Sequence, residues 1–600
     1  MAALFPLASL QAQGSSPRPV WPDEGPFSWA PRPTEPAITA RDLRTRLYQI
    51  ADDSMGGRRI GEPGNAKATD YIAGEFRRLG LRPAGDSGTY FQEMPFGPLG
   101  FEMGSARLVV AGRALGAPTD WIPTAPTVAN GFAGTTRITN AAAVFAGRWG
   151  DTVALDAARF RGKIAVFVNE ASATRTPTVP RNCADLPDRF GAAAAIVADA
   201  AARANPQAPA AGGGANVPRS DRRAHEAGAI GVLVVGLDEL SAAARTTATN
   251  PRNAMRPATL LGANATVAGA TISRAAAQRI FGRAVDRLSL GATGAKVTAA
   301  WSYGWKPSVA PARNVVAILP GSDPSLAHQY VLVGAHNDHI GTSASPVDHD
   351  SLRAVNTVTR RQGNNDPICV PSADQQRRID SLIARARSIR PPQRDSIFNG
   401  ADDDGSGTAV LLEIAERFAG ERPARSIIFV SHQGEESGLL GSRWFVDHPP
   451  VPLENIVAAH NMDMLGKGRV EQVKYGGPNS VQTLGSRRLS REFGDIIDSV
   501  NAVRDEPMVV DKSWDVTQNP MNRFCRSDQV NYVNKNVPVT YFSLGYSQDY
   551  HQLTDEPRYI DYDHSARLAR FIHDVMFAIS ARKDRPAIAG PDPAYPSCGR

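Results

Sequence analysis

The sequence predicts an α/β fold, a mixed and mainly parallel sheet flanked by helices, with a separate β-rich module inserted into it. Three observations predict it. From Asn314 onward, continuous apolar runs alternate with helical stretches, the pattern of strands buried on both faces. Between about 130 and 285 the chain instead shows short β-rich runs separated by Ala-rich segments. Finally, 600 residues exceed the roughly 250–300 that a single hydrophobic core serves, so two or three domains are expected.

Taken in order, residues 1–36 read as a leader. Met1–Gly14 is a short apolar run ending in small and polar residues, like the latter part of a signal peptide without its positive start. This predicts an exported protein, periplasmic or secreted. Residues 14–36 are rich in Pro, Ser and Gly and read as flexible. Residues 37–129 are expected to pack on the main sheet. Within them, apolar positions from Ile38 to Leu81 recur at helical spacing on both sides of the Gly-rich segment 56–64, predicting helix, loop, helix. The segment 130–285 holds the strand-like runs Lys163–Val168 and Gly231–Val235. The segment 286–582 holds strands at Tyr330–Gly334, Ser426–Val430, Ile456–His460 and Val537–Leu544. Helices are predicted at Ser406–Phe418, after Ser437, and from about Asp563 to Ala581. Residues 583–600 form a Pro-rich tail.

With 42% hydrophobic and 21% charged residues, the composition is that of an ordinary globular protein. The net charge of +6 comes from 66 basic and 60 acidic residues spread along the chain. No basic run interleaved with aromatics appears, so a nucleic-acid partner is not expected. No stretch after the leader reaches the roughly 20 apolar residues of a spanning helix, so stable membrane insertion is not expected either. Cys183, Cys369, Cys525 and Cys598 stand far apart without C-x-x-C pairing, which excludes a cysteine zinc site and leaves room for one or two disulfides of unassigned connectivity.

Five polar segments lie just beyond strand ends or in loops, where open α/β sheets bind ligands. They are Gly334–Asp338, Gly400–Gly407, Gln433–Ser437, Asn461–Met464 and Tyr550–Asp555. Each alone is ordinary loop chemistry, and Asp402–Asp404 alone would read as a turn. Jointly they offer two imidazoles and three carboxylates, a set that suits zinc, with one carboxylate able to bridge two ions about 3.5–4 Å apart. Such a pair lowers the pKa of a bound water and polarises a carbonyl, which points to amide hydrolysis. A general base must then take the proton, and Glu435 or Glu436 suits that role.

These motifs, in this order, resemble the M28 class of co-catalytic zinc peptidases, which includes secreted aminopeptidases and glutamate carboxypeptidases. The likeness covers roughly residues 310–340 and 398–582 and implies a zinc-exopeptidase-like fold with two Zn2+ per chain. It implies that Asp403 bridges the metals, with Glu436 and His551 on one ion and His336 and Asp463 on the other. By the same likeness Glu435 is the general base acting on a metal-bridging water, Asp338 orients His336, and Tyr550 stabilises the oxyanion. The 130–285 stretch, through Arg161–Val166, Glu226–Val235 and Thr271–Arg274, is similar to a protease-associated domain, and the sequence names no protein partner for it. The 66 residues between His336 and Asp403 depart from the usual short connection. Their extra stretch, about 342–397, reads as a lid over the site or a surface elaboration.

The resemblance implies peptide substrates and an exopeptidase, with N-terminal release as the leading expectation. A carboxypeptidase is the alternative within the family. Asp511 is a candidate anchor for an ammonium, and Arg523 and Arg526 are candidates for a carboxylate. A glutaminyl cyclase and a non-catalytic, receptor-like binding protein on the same scaffold are weaker alternatives, because ligands for both ions and the base are all present.

Overall fold

The computed structural model describes residues 18–125, 134–169, 181–185, 222–257, 267–468, 477, 479–515, 523–590 and 598. The signal-like run Met1–Gly14 and the greater part of the Ala-rich stretch before Arg222 lie outside the described residues. The chain divides into two compact units. The first comprises residues 1–94, 180–202 and 310–600, and the second residues 95–179 and 203–309.

In the first unit the strands are β1 (Arg82–Pro83), β2 (Phe91–Met94), β3 (Ala312–Leu319), β4 (Tyr330–His336), β5 (Thr342–Asp348), β6 (Arg394–Ile397), β7 (Ser426–His432), β8 (Ile456–Met462), β9 (Ser480–Leu484), β10 (Val509–Asp511) and β11 (Val539–Ser543). Its helices include α1 (Ala40–Ile50), α2 (Pro63–Arg78), α3 (His349–Thr359), α4 (Ala373–Ile389), α5 (Gly407–Ala419), α6 (Leu440–Asp447) and, nearer the C-terminus, α7 (Arg491–Ala502), α8 (Gln529–Val533) and α9 (Tyr562–Ala581). The sheet runs β1-β3-β7-β4-β8-β11-β9-β10, with β2 also on β3. Its centre, β7-β4-β8-β11, is parallel throughout. The register sets His336 beside His432, and Ala335 beside Met462, so the strands end level at their carboxyl edge.

The continuous apolar runs follow from burial on both faces. On β4, Val331 and Val333 face a core shared with α1, α2, α5 and α9, while Leu332 faces a second core with Phe445 of α6 and Tyr532 of α8. Helix α5 is buried over nearly its whole length because α1 and α9 cover its outer side. That cover carries a buried charge network, in which Arg46 of α1 donates to Glu413 of α5 at 2.5 Å and to Glu75 at 2.5 Å, and also to Glu416.

The long connection after His336 is folded. β5 and β6 pair as an antiparallel ribbon, and α3 packs on α4 between them. A capping box of Ser372 and Gln375 starts α4. Two disulfides are present, Cys183–Cys369 at the tip of this insert and Cys525–Cys598 near the C-terminus. Among the described residues, no helix is long and apolar enough to cross a membrane.

The second unit is a ten-stranded sheet among the described residues. Thr135–Arg148, Ile164–Val168, Gly231–Val235 and Ala268–Ile272 are parallel neighbours. Thr293–Trp305 pairs with Thr135–Arg148 and with Phe96–Phe101. The unit therefore extends on both sides of the 130–285 stretch, because those flanking strands complete its sheet.

Candidate metal centre

The candidate residues converge at the carboxyl edge of the parallel strands. The chain crosses here from β7, on one side of β4, to β8 on the other, the switch point at which open α/β sheets form a crevice. His336 is the last residue of β4, Asp463 follows β8, and Glu435 and Glu436 lie in the turn after β7. His551 comes from the loop after β11 and holds a positive φ of 52°, a conformation that non-glycine residues seldom adopt and that clusters at functional sites.

Asp403 sits between two groups. Its Oδ1 is 3.2 Å from His336 Nε2 and its Oδ2 is 2.9 Å from His551 Nε2. Asp463 Oδ1 lies 3.8 Å from His336 Nε2, and Glu436 Oε1 lies 3.0 Å from His551 Nε2. Two groups of side chains that could each hold a metal ion result, one of His336, Asp403 and Asp463, the other of His339, Asp403, Glu436 and His551.

Hydrogen bonding explains why the middle acid of Asp402–Asp404 faces inward. Asp404 accepts from the backbone N–H of His336, Gly407 and Met464, and Asp402 accepts from Gly466. The Asp555 carboxylate accepts from the N–H of Asp402 and Asp403 at 2.9 and 3.1 Å, pinning the turn. With its neighbours so engaged, Asp403 alone turns its carboxylate to the imidazoles. From the other side Arg58, fully buried, donates to the carbonyls of Asn337, Asn399 and Gly400, and so ties the two ligand loops together.

Asp338 acts in two ways. Its carbonyl, 3.1 Å from His336 Nδ1, is the hydrogen-bond partner of the imidazole, and its carboxylate oxygen stands 3.6 Å away. That carboxylate instead accepts from the N–H of Gly434 and Glu435 at 2.7 and 3.1 Å, so it shapes the Glu435–Glu436 turn. Tyr550 stacks on His551 with ring centroids 4.0 Å apart. The insert reaches this loop, since Asn364 N–H donates to the Tyr550 carbonyl at 3.0 Å.

The electrostatics of these side chains are crowded. Burial raises Glu435 well above the usual carboxylate range, and Glu436 and Asp463 add to that while His336 opposes it. Burial also resists ionisation of Asp403, yet His336 and His551 hold it well below that range. His551 is desolvated but is pushed up to about 10 by Glu436 and Asp403. Among the buried atoms without a hydrogen-bond partner here are His336 Nε2, Asp463 Oδ1, Glu436 Oε1 and both ring nitrogens of His339. Buried polar atoms are almost always satisfied, so orphans that converge from four loops and strand ends fit a cation. Mixed nitrogen and oxygen donors suit zinc or a similar divalent ion.

The sequence alone assigns no role to Arg58, Asp555 or His339. For His339 a signal existed, a second histidine three residues after His336, but only the fold shows that it turns toward Glu436. A third acid and histidine group, His349, Asp395 and Glu556, lies apart from these, with the Arg558 guanidinium 3.1 Å from His349 Nε2.

Residues 314–576 match the profile of Peptidase family M28. A probable zinc metalloprotease of Pyrenophora tritici-repentis is 42% identical over 86 residues, 14% of this chain and 20% of that protein. Mouse aminopeptidase NAALADL1 is 39% identical over 115 residues, 16% of this chain and 15% of that one. The chain thus spans about a fifth of the length of the curated relatives it matches. Among solved structures, a zinc aminopeptidase from Bacillus subtilis aligns over 94% of this chain and 100% of its own, at 16% identity and a TM-score of 0.40.

Proposed function

Since residues 314–576 match the profile of Peptidase family M28, we propose that the protein is an exported, metal-dependent exopeptidase that uses two zinc ions to release N-terminal residues from peptides. The observation that carries this is the convergence of unpartnered imidazole and carboxylate atoms on either side of Asp403. His336, Asp403 and Asp463 would hold one ion, and Asp403, Glu436 and His551 the other. When bound, such a pair supplies Lewis acidity and a water of lowered pKa.

The chain's own residues do the rest. Glu435 takes the proton of the attacking water and delivers it to the leaving amine, and the Asp338 carboxylate fixes its backbone for that task. Tyr550, held against His551, offers its hydroxyl to the carbonyl oxygen as charge develops there. Two disulfides support export, since such bonds persist in oxidising compartments. The second unit is proposed as a protease-associated module.

One observation favours a second reading, a carboxypeptidase. Arg526 lies near enough to Tyr550 and Glu435 for their charges to act on it, and it reaches Asn365 of the insert at 3.1 Å. A cation there suits a substrate carboxylate. The other candidates are less suited: Arg523 is engaged by Gln482 and Ser543, and Asp511 lies on the edge strand β10. Elemental analysis, with hydrolysis of aminoacyl-anilides and of N-blocked and C-blocked peptides with and without chelator, tests both. Two zinc ions per chain and chelator-sensitive cleavage of substrates with a free N-terminus are expected. Cleavage only of those with a free C-terminus selects the second reading, and absence of bound metal overturns both.

A further inference from the structure

His339 belongs to none of the roles above, yet it is placed as a ligand. It is 1% exposed, and neither ring nitrogen has a hydrogen-bond partner. A buried imidazole without partners is costly, and this one, unlike a lone core histidine, stands with Asp403, Glu436 and His551 within one cluster of donor atoms, which fits a bound cation. Its Nδ1 is 2.9 Å from Glu436 Oε1, and those two atoms, close as they are, do not meet hydrogen-bond geometry and both remain orphaned. The His551 Nε2 distances to Glu436 and Asp403 are 3.0 and 2.9 Å. Ligand bonds of roughly 2.0–2.1 Å around a tetrahedral ion put neighbouring donor atoms about 3.3 Å apart. The four atoms therefore stand close to the corners of one coordination sphere.

The backbone is built to admit this ring. His339 N–H donates to the Arg58 carbonyl at 3.2 Å, which anchors the residue. Opposite, Gly400 has a φ of 54°, and a Cβ there would lie 2.4 Å from His339 Cγ. Glycine at 400 thus makes the space the imidazole occupies. The ring meets His551 edge-on, with centroids 5.4 Å apart, so the two histidines face one point rather than stack.

We propose that His339 is a fourth protein ligand, with Asp403, Glu436 and His551, to one of the two ions, so that the pair is unequal. This rests on the two-metal reading above. Four protein ligands close a zinc site as in structural centres, whereas three leave a position open. The ion at His336 and Asp463 then keeps the open position for substrate, and the ion at His339 serves as the tightly held anchor.

The test uses the full chain, stripped of metal and titrated with zinc against a chromophoric chelator. Wild type is expected to take up two ions in a tight and a weaker step. His339→Gln should still take up two, with the tight step weakened about tenfold or more and the weaker one little changed. X-ray absorption on the two-zinc wild-type protein supplies a readout independent of any variant's folding. It should count three imidazoles over the two ions. Two imidazoles, or a well-folded His339→Gln protein with both affinities intact, overturns the proposal while leaving the two-metal site standing. No zinc uptake by wild type removes the underlying reading instead.

Discussion

Arg58 and Glu435 show how differently single residues serve the centre. Arg58 donates to the carbonyl oxygens of Ile50, Asn337, Asn399 and Gly400 from a fully buried position. Arg58→Met removes the donor from the Ile50, Asn337 and Asn399 carbonyls, while Gly400 keeps the Gly405 N–H, and a loss of about 3–5 kcal/mol of stability is expected in denaturant unfolding, accompanied by weaker zinc retention. Unchanged unfolding would mean that the loops hold themselves. Glu435 makes no comparable structural bond through its side chain. Glu435→Ala is therefore expected to lower turnover by at least about 10²–10⁴-fold while zinc content and thermal unfolding stay as in wild type, because only proton transfer is removed. Retained activity excludes Glu435 as the base.

At the scale of the element, β8 carries a pH-sensitive group inside the core. His460 is 1% exposed, neither of its ring nitrogens is hydrogen-bonded, and burial pushes it down to about 3. The unfolded chain titrates this group near 6.5, so between roughly 6.5 and 3 the unfolded state binds a proton that the native state refuses. Stability should thus fall as pH drops below about 6.5, by up to about 1.4 kcal/mol per pH unit from this residue. His460→Leu is expected to flatten that slope in melting curves taken from pH 7 to 4. A residual slope remains from His432, held down to about 3 by burial and by His336. Helix α5 makes a different point: Leu411 is fully buried in the core that the sheet shares with α1, α2 and α9, and Leu411→Ala should cost about 2–5 kcal/mol in denaturant unfolding.

For the whole molecule, the proposed metal centre joins elements distant in sequence, because its candidate ligands come from the ends of β4, β7 and β8, the turn before α5 and the loop after β11. Anything that binds only the folded arrangement stabilises it, by about 2.7 kcal/mol at a hundredfold excess over Kd. Chelation is expected to lower the melting temperature by several degrees and zinc to restore it, and no shift would show that the carboxylates need no cation to stay together. The disulfides act on the same scale. They close separations of 186 and 73 residues, tying the segment around Cys183 to the insert and Cys598 near the C-terminus to Cys525, all within the first unit.

Much is legible in the chain alone. The apolar runs that became β4, β7, β8 and β11 are continuous because helices cover both faces, and each is followed by polar residues because only the strand ends open to the crevice. Those are local consequences of burial, so the α/β class and the helices flanking residues 56–64 were readable. What only the tertiary structure decided depends on contacts between distant residues. Asp555 and backbone N–H groups from other loops engage the neighbours of Asp403, Asp338 directs its carboxylate to the Glu435 turn, and the 342–397 stretch pairs with itself as a ribbon carrying two helices. His339 and Arg58 belong with these, since a buried imidazole or guanidinium is written in the chain like any exposed one. Its meaning comes from the carbonyls and carboxylates that the fold brings within about 3 Å of it.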